Sequence, residues 1–329
     1  MVDPGSLTQP RLLAELAAGA TVSGSALAAR FGISRTAVWK LIGQLRSHGL
    51  AVAAQAGGGY RLDAPLDLLD ARHIRRDMGA AMRDRLGGLD VHWQIDSTSS
   101  ELLRRAAGGA PDRSACAAEI QTHGRGRRGR AWRMPLGAGV ALSLLKRFEG
   151  GMASLAGLSL VAGIAVVQAL GDCGVAEVGL KWPNDLLARG RKLGGVLVEL
   201  GGDALGPCHA VIGIGINVRL PAAVAIDQPW IDLAALAPAG PPSRNRIAAG
   251  LLERLADALD RFECHGFAPF APEYAAHDAL RGKAVDVLRA DGAQHGVALG
   301  VDARGALRVR FAAGERSVDS GEVSVRSAR

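Results

Sequence analysis

Aromatic side chains make up only 4% of this 329-residue chain. Its cores must therefore close by packing aliphatic and small residues. Cysteine is rarer still. Cys116, Cys173, Cys208 and Cys264 lie far apart and form no Cys-x-x-Cys pair, which excludes a zinc knuckle, a dithiol redox motif and a disulfide framework. Reduced thiols in a cytoplasmic protein are the expectation. Met1 to Pro10 has no basic segment followed by an apolar core, so no signal peptide is expected. Charge is absent from Gly150 to Gly171, a stretch long enough to cross a bilayer. It is rich in Ala, Gly and Ser, contains Gln168 and has no aromatic belt. A buried helix packed closely on a sheet is expected there, and no membrane partner. No internal repeat or low-complexity tract is visible.

Apolar residues make up 48% of the chain, enough for real cores, and 44 glycines point to tight turns and close packing. The length exceeds what one core usually serves, so two or three domains are expected. The net charge of +7 favours anionic partners such as nucleotides or DNA without identifying either.

The N-terminal pattern is helical and short. Leu12, Leu13 and Leu16 share one face of a helix from Arg11 to Ala18. Ser25 is expected to cap a second helix running to Arg30, and Phe31-Gly32-Ile33 to make a turn. Ser34 caps a third helix, Arg35 to Ser47, with Val38, Leu41, Ile42 and Leu45 at helical spacing. Gly49 ends it. Short strands at Leu50–Ala54 and Tyr60–Leu62 flank the turn from Gln55 to Gly59. This order is that of a winged helix-turn-helix over residues 1–65, where lysines and arginines outnumber acids by six to three. The third helix of such a module enters the DNA major groove. Its outward residues Ser34, Arg35, Thr36, Trp39 and Lys40 are the DNA-contact candidates, although such a module can also mediate protein contacts alone.

A linker begins at Ala64-Pro65. Residues 66–275 alternate strand and helix patterns, as expected of an α+β layer with a mixed sheet. Strands are expected at Asp90–Ile95, Ala115–Gln121, Val140–Leu145, Val196–Leu200 and His209–Ile216. Helices are expected at Ser100–Ala107, Leu155–Leu170 and Arg246–Glu263. Ala237 to Ser243 reads as loop. From residue 276 to 329 short strands separated by glycine turns suggest a small β-barrel.

Chemistry concentrates in three blocks. From Gly124 to Arg133 there are five arginines, three glycines and no acid. Glycine lets backbone N–H groups approach a ligand, and guanidinium groups clamp phosphate or carboxylate. Alone, such a loop equally suits nonspecific nucleic-acid binding. Next come Lys181-Trp182-Pro183-Asn184-Asp185-Leu186 with Arg191-Lys192-Leu193-Gly194-Gly195-Val196-Leu197-Val198-Glu199, then Ile212-Gly213-Ile214-Gly215-Ile216-Asn217. The glycine–arginine loop suits a polyphosphate substrate, and attack at one of its phosphorus atoms crowds anionic oxygens in the transition state, so it needs cations and Mg²⁺. Arg125, Arg127, Arg130, Lys181 and Lys192 supply cations, and Asp185 is the carboxylate to help hold Mg²⁺. The eight histidines form no defensible ligand pair.

The three blocks in this order resemble the biotin protein ligases, and the N-terminal region resembles the helix-turn-helix of their bifunctional members, which repress the biotin operon. The resemblance runs from about Arg11 to Ala328. It implies ATP and biotin as ligands, a biotin carboxyl carrier protein as acceptor, biotin-operator DNA as a second partner, a homodimer with biotinyl-AMP, and an SH3-like C-terminal barrel. By resemblance, Lys192 contacts the biotin carboxylate and α-phosphate. Arg125 orders the loop near biotin, and Arg127 reaches both the biotin head and the phosphates. Arg130 meets the ATP phosphates with Lys181, Asn184 and Asn217 nearby. Ser97, Thr98 and Gln121 match the groups that hydrogen-bond the ureido ring. Gly124 belongs to the same biotin-binding loop. Trp132, Gly195, Leu197 and Gly213 match the wall around the thiophane ring and valeryl chain. Trp230 matches a tryptophan closing over adenine, and Glu322 with Arg326 a C-terminal pair that reaches ATP. Ser97 and Thr98 could instead cap a helix, Trp132 fill a core, and Trp230 pack between domains.

Some positions depart from the pattern. Ala131 stands where several relatives are basic, Ser99 where asparagine is frequent, and the turn Gln55–Gly59 has no Lys or Arg. Arg128 and Gly150 to Ala156 fall where relatives dimerise. Two other readings share the motifs: a lipoate or octanoate ligase, whose tunnel would lack the polar set at Ser97, Thr98 and Gln121, and a transcription factor that senses the adenylate without making it.

Overall fold

A computed structural model of the chain describes residues 4–55, 59–222, 224–237, 239–289, 292–319 and 324–327. The first module contains α1 (Pro4–Ala17), β1 (Val22–Ser23), α2 (Gly24–Phe31), α3 (Arg35–Ser47), β2 (Val52–Gln55) and β3 (Gly59–Leu62), with sheet order β1-β3-β2. Leu12, Leu13, Leu16, Leu27, Val38, Ile42 and Leu45 form its fully buried core, each worth about 1.5–3 kcal/mol on burial. α1 starts well before the leucine pattern does and runs through Pro10. The cap of α2 is Ser23, whose hydroxyl accepts from Ala26 N at 3.0 Å, and not Ser25. Ser34 caps α3 as expected, accepting from Ala37 N at 3.1 Å. Gly49 follows that helix at φ 92°, where a side chain would be strained. Of the turn Gln55–Gly59, residues 56–58 lie outside the described residues.

The winged helix packs against the neighbouring central layer. Ile120 and Leu136 join its core cluster, Leu66 N donates to Ala17 O at 2.9 Å, and Leu136 N donates to His48 O at 3.3 Å.

The central layer comprises α4 (Ala71–Asp77), α5 (Ala80–Arg85), β4 (Gly88–Ile95), α6 (Thr98–Ala107), β5 (Ser114–Gln121), β6 (Gly139–Phe148), α7 (Leu158–Asp172), β7 (Gly179–Lys181), β8 (Asp185–Ala188), β9 (Arg191–Gly202), β10 (Cys208–Asn217), α8 (Leu233–Leu236), α9 (Arg244–His265) and α10 (Ala271–His277). Its seven strands run β4-β5-β6-β10-β9-β8-β7. Only β4 and β5 are parallel, because α6 crosses between them; the other neighbours are antiparallel. The uncharged stretch forms the buried helix α7, preceded by a short 3₁₀ turn at Met152–Leu155 and a break at Gly157.

Alternation along the strands separates two faces. Ile212, Ile214 and Ile216 of β10 join α7 and α9 in the main core, whereas Val211 joins the cluster around α6. Gly213 and Gly215, between the isoleucines, therefore face away from α7 and α9. That face carries the cleft.

One buried ion pair ties the layer to the linker. Arg244 at the start of α9 meets Glu119 of β5 at 2.9 Å, with side chains 3% and 4% exposed. Arg244 also donates to Gly139 O and Asp67 O, and Glu119 accepts from Leu69 N. The desolvation cost of such a pair is offset only because these further hydrogen bonds are made.

The C-terminal strands are β11 (Ala284–Arg289), β12 (Gly292–Val301), β13 (Leu307–Phe311), β14 (Gly314–Val318) and β15 (Ser324–Ser327). They form an antiparallel sheet, β14-β13-β12-β11-β15. β14 and β15 lie at opposite ends of that order, and no pairing among the described residues closes it into the expected barrel. Trp182, almost fully buried, donates its indole N–H to Gly305 O at 3.0 Å and so holds this sheet to the central layer.

Candidate active site

The strand ends and the glycine–arginine loop enclose a cleft of about 150 Å³. The fourteen expected residues Ser97, Thr98, Gln121, Arg125, Arg127, Arg130, Trp132, Lys181, Asn184, Asp185, Lys192, Gly195, Leu197 and Gly213 line it. They come from seven separate segments, brought together by the β6-β10-β9-β8 order.

One end is polar but uncharged. Ser97 caps α6, accepting from Ser100 N at 3.4 Å. Thr98 N donates to Gln121 Oε1 at 2.9 Å. Thr98 Oγ1 lies 2.8 Å from Ser143 Oγ, which lies 3.0 Å from Ser99 Oγ. Ser143 was not anticipated from the sequence; its signal is a lone hydroxyl in the apolar run of β6, and it is fully buried. The Asp-Ser-Thr turn is fixed from outside. Arg104 grips Asp96 through two hydrogen bonds, at 2.8 and 3.0 Å. Those bonds hold the Asp96 carboxyl down at about 2. The Asp96 carbonyl also accepts from His123 N at 2.8 Å, at the base of the loop.

The floor is glycine for a steric reason. A Cβ on Gly213 would come within 2.5 Å of Ser99 Oγ, and one on Gly215 would collide with the Trp132 ring. The indole thus lies directly on β10. Its Nε1 is buried with no hydrogen-bond partner among the described residues.

The other end is cationic. Lys192 Nζ of β9 lies 2.6 Å from Asp185 Oδ1 of β8, with side chains 18% and 22% exposed, and 5.9 Å from the Trp132 ring centre. Burial, then the neighbouring Arg128 and Arg130, push the Arg127 guanidinium below its ordinary value, with Asp185 acting in the opposite sense. An anion entering here would relieve that repulsion. Arg128 and Gly129 adopt φ 58° and 71°, turning the loop back. Arg125 reaches across to Glu199 of β9 at 2.6 Å, an anchor not anticipated from the sequence.

Other expected residues fall outside the cleft lining. Gly124 lies in the adjoining groove under the loop. Asn217 is buried, and its amide donates to Ile231 O at 3.0 Å and Lys192 O at 3.3 Å; it fixes the Lys192 backbone. Trp230 is half-buried and pairs as a bridge with Lys192, while Gln228 of the same segment reaches the cleft. Arg326 lies in β15 opposite Asp286, and Glu322 lies outside the described residues. Among the described residues no group of three or more His, Cys, Asp or Glu could hold a metal ion, and no helix is long and apolar enough to cross a membrane.

This cleft, on a mixed sheet with a glycine–arginine loop at its mouth, is that of the biotin/lipoate A/B protein ligase family, whose pattern matches residues 93–217. Residues 9–61 match a helix-turn-helix domain and residues 281–326 the biotin protein ligase C-terminal domain. The chain belongs to the biotin protein ligase family, and within it resembles the bifunctional ligase/repressors. The Bifunctional ligase/repressor BirA of Salmonella typhimurium is 39% identical over 96% of this chain and 97% of the relative. The Biotin--[acetyl-CoA-carboxylase] ligase of Mycobacterium tuberculosis is 35% identical over 80% of this chain and 97% of its own length. The structure of the biotin protein ligase from Aquifex aeolicus in complex with biotin and ATP superposes with a TM-score of 0.63 at 28% identity, covering 73% of this chain and 99% of that one.

Proposed function

We propose that the chain activates biotin with ATP and transfers it to a lysine of a biotin carboxyl carrier protein. A carboxylate oxygen of biotin attacks the α-phosphorus, the bond to the β-phosphate oxygen breaks, and pyrophosphate leaves. The ε-amine of the acceptor lysine then attacks the acyl carbon, AMP departs and the nitrogen loses a proton. The observation that carries this reading is the polarity of one cleft: a neutral hydrogen-bonding end at Ser97, Thr98 and Gln121, and a cationic end at Lys192, Arg127 and Arg130. The first suits an uncharged ureido ring, the second a carboxylate beside a polyphosphate.

In this scheme Lys192 neutralises the carboxylate and α-phosphate together as they approach. Arg127, Arg130 and Lys181 hold the phosphates, with Asn184 beside them, and Arg125 keeps the loop over the ligand through Glu199. Trp132, Gly195, Leu197 and Gly213 bound the apolar part of biotin. Trp230, Glu322 and Arg326 complete the ATP side. Asp185 is the one carboxylate among the described residues that line the cleft, and it would fit Mg²⁺ that arrives bound to ATP, an ion commonly held by one or two carboxylates plus phosphates. Held there, the ion would supply charge neutralisation.

The winged helix carries the second activity, repression of biotin-synthesis genes when biotinyl-AMP is bound. Ser34, Arg35, Thr36, Trp39 and Lys40 form its DNA surface, and a homodimer would present two such surfaces to paired half-sites. The whole chain is read as three modules, residues 1–65, 66–275 and 276–329, working in the cytoplasm.

The deciding assay incubates the protein with ATP, Mg²⁺ and radiolabelled biotin and traps the adenylate. Octanoate or lipoate serving in place of biotin would transfer the chain to the lipoate-ligase class. Binding of added biotinyl-AMP without its synthesis would leave only a sensor.

A further inference from the structure

We infer that Trp39 reads thymine: its indole face, beside the Thr36 methyl, takes up the C5-methyl of a thymine in each operator half-site. The inference rests on the DNA-binding reading and says which base chemistry that surface selects.

The core does not need this side chain. α3 buries Val38, Leu41, Ile42 and Leu45, while Trp39 is 62% exposed, the one aromatic among the large apolar residues left open in the described structure. Arg35 and Thr36 precede it by four and three residues, so the three share one helix face. That face lines a groove of about 480 Å³ with Gln55 and Tyr60 of the wing strands. The groove has a guanidinium and no carboxylate in its lining. An anionic partner that also covers the indole fits this lining.

A DNA major groove meets both demands. Its rim is phosphate, and of the four bases only thymine presents a methyl group there. Ser34 caps α3 and leaves the helix N-terminus facing outward, an arrangement that suits a phosphate oxygen. Arg35 and Lys40 then hold the backbone, and the apolar pair Thr36 and Trp39 supplies discrimination. The cost of an exposed indole is repaid only on the correct base.

The test uses the full chain with biotin, ATP and Mg²⁺. A duplex is first selected from a randomised pool, and each thymine is then replaced singly by deoxyuridine, which removes only the methyl. Burial of one methyl group implies about fourfold weaker binding on its loss. We expect that loss at one or two thymines per half-site. Trp39→Ala should bind both duplexes equally and more weakly, with the salt slope of wild type, since phosphate contacts are untouched. Trp39→Phe should keep the methyl effect. Thermal melts of both variants report folding, which an exposed residue should leave intact. Binding with no methyl effect at any position overturns the inference and leaves the repressor reading standing. A methyl effect that survives in Trp39→Ala overturns it too, as does a change in self-association without a change in base preference. Recovery of no duplex at all removes the repressor reading and the inference together.

Discussion

Lys192 Nζ sits 2.6 Å from Asp185 Oδ1, one on β9 and the other on the adjoining β8, so the main cation of the cleft is already held by a carboxylate before a ligand enters. In the proposed reaction the ligand carboxylate takes over that lysine, which would free Asp185 to help hold Mg²⁺. Binding and redistribution of charge are thereby one event.

Lys192→Ala should lower single-turnover adenylate synthesis by about 3 kcal/mol or more of transition-state free energy, the scale of a key electrostatic donor. Its melting curve should change far less. Wild-type rates in the variant would remove Lys192 from the chemistry.

Gly215→Ala tests the seating of the indole. The new Cβ has no room beneath Trp132, and the ring must lift at a cost of about 1–3 kcal/mol, the usual range for overpacking. Ligand affinity measured by calorimetry should fall accordingly, while the sheet stays folded. Unaltered affinity would show that the ring does not bound the ligand.

The loop from His123 to Arg133 should order on ligand binding. It carries repelling guanidinium groups; burial first, and then repulsion from Arg128 and Arg130, push Arg127 below its ordinary value. Hydrogen exchange across these residues should slow at saturating biotinyl-AMP; identical exchange with and without it would count against an anion-organised loop.

Glu119→Gln should cost about 3–5 kcal/mol in denaturant unfolding, because Arg244 would stay buried without its counter-charge. Replacing both, as Glu119→Leu with Arg244→Met, should cost less than the single change. A larger loss in the double variant would mean that the pair contributes more than its own neutralisation.

Arg104→Gln should raise the Asp96 carboxyl from about 2 toward the ordinary 3.8. Because the folded value is the depressed one, the stability this contact lends is present above about 3.8 and lost as pH falls toward about 2. A carboxyl carbon NMR titration reads the shift directly. No movement would mean that Arg104 does not hold the Asp-Ser-Thr turn.

Local pattern makes the winged helix legible: a capped amphipathic helix needs only its own dozen residues to be recognised, and Ser34 with Val38, Leu41 and Ile42 provides that. The Ile212–Asn217 run is legible as alternation, with glycines kept where something must lie flat upon them. The strand order is not, since β10 inserts between β6 and β9 and no spacing in the sequence encodes it. The pairings that depend on that order, Arg125 with Glu199 and Thr98 with Ser143, are hidden for the same reason. The hairpin of β7 and β8 is too short for a period to register. The motif that ends at Asn217 suggests a group near ATP, yet its amide is spent on two carbonyls behind Lys192. The cap of α2 falls on Ser23 because either serine satisfies the same preference and only backbone geometry separates them.

The indole of Trp182 on the Gly305 carbonyl limits how freely this chain's last module could be replaced by another. A Cβ on Gly305 would stand 2.9 Å from the Gly157 Cα, so the turn at 305 meets the central layer without room for a side chain. A graft must bring its own glycine-tipped turn and find a tryptophan waiting at the joint, or the hairpin that carries Lys181 and Asp185 will lose its backing.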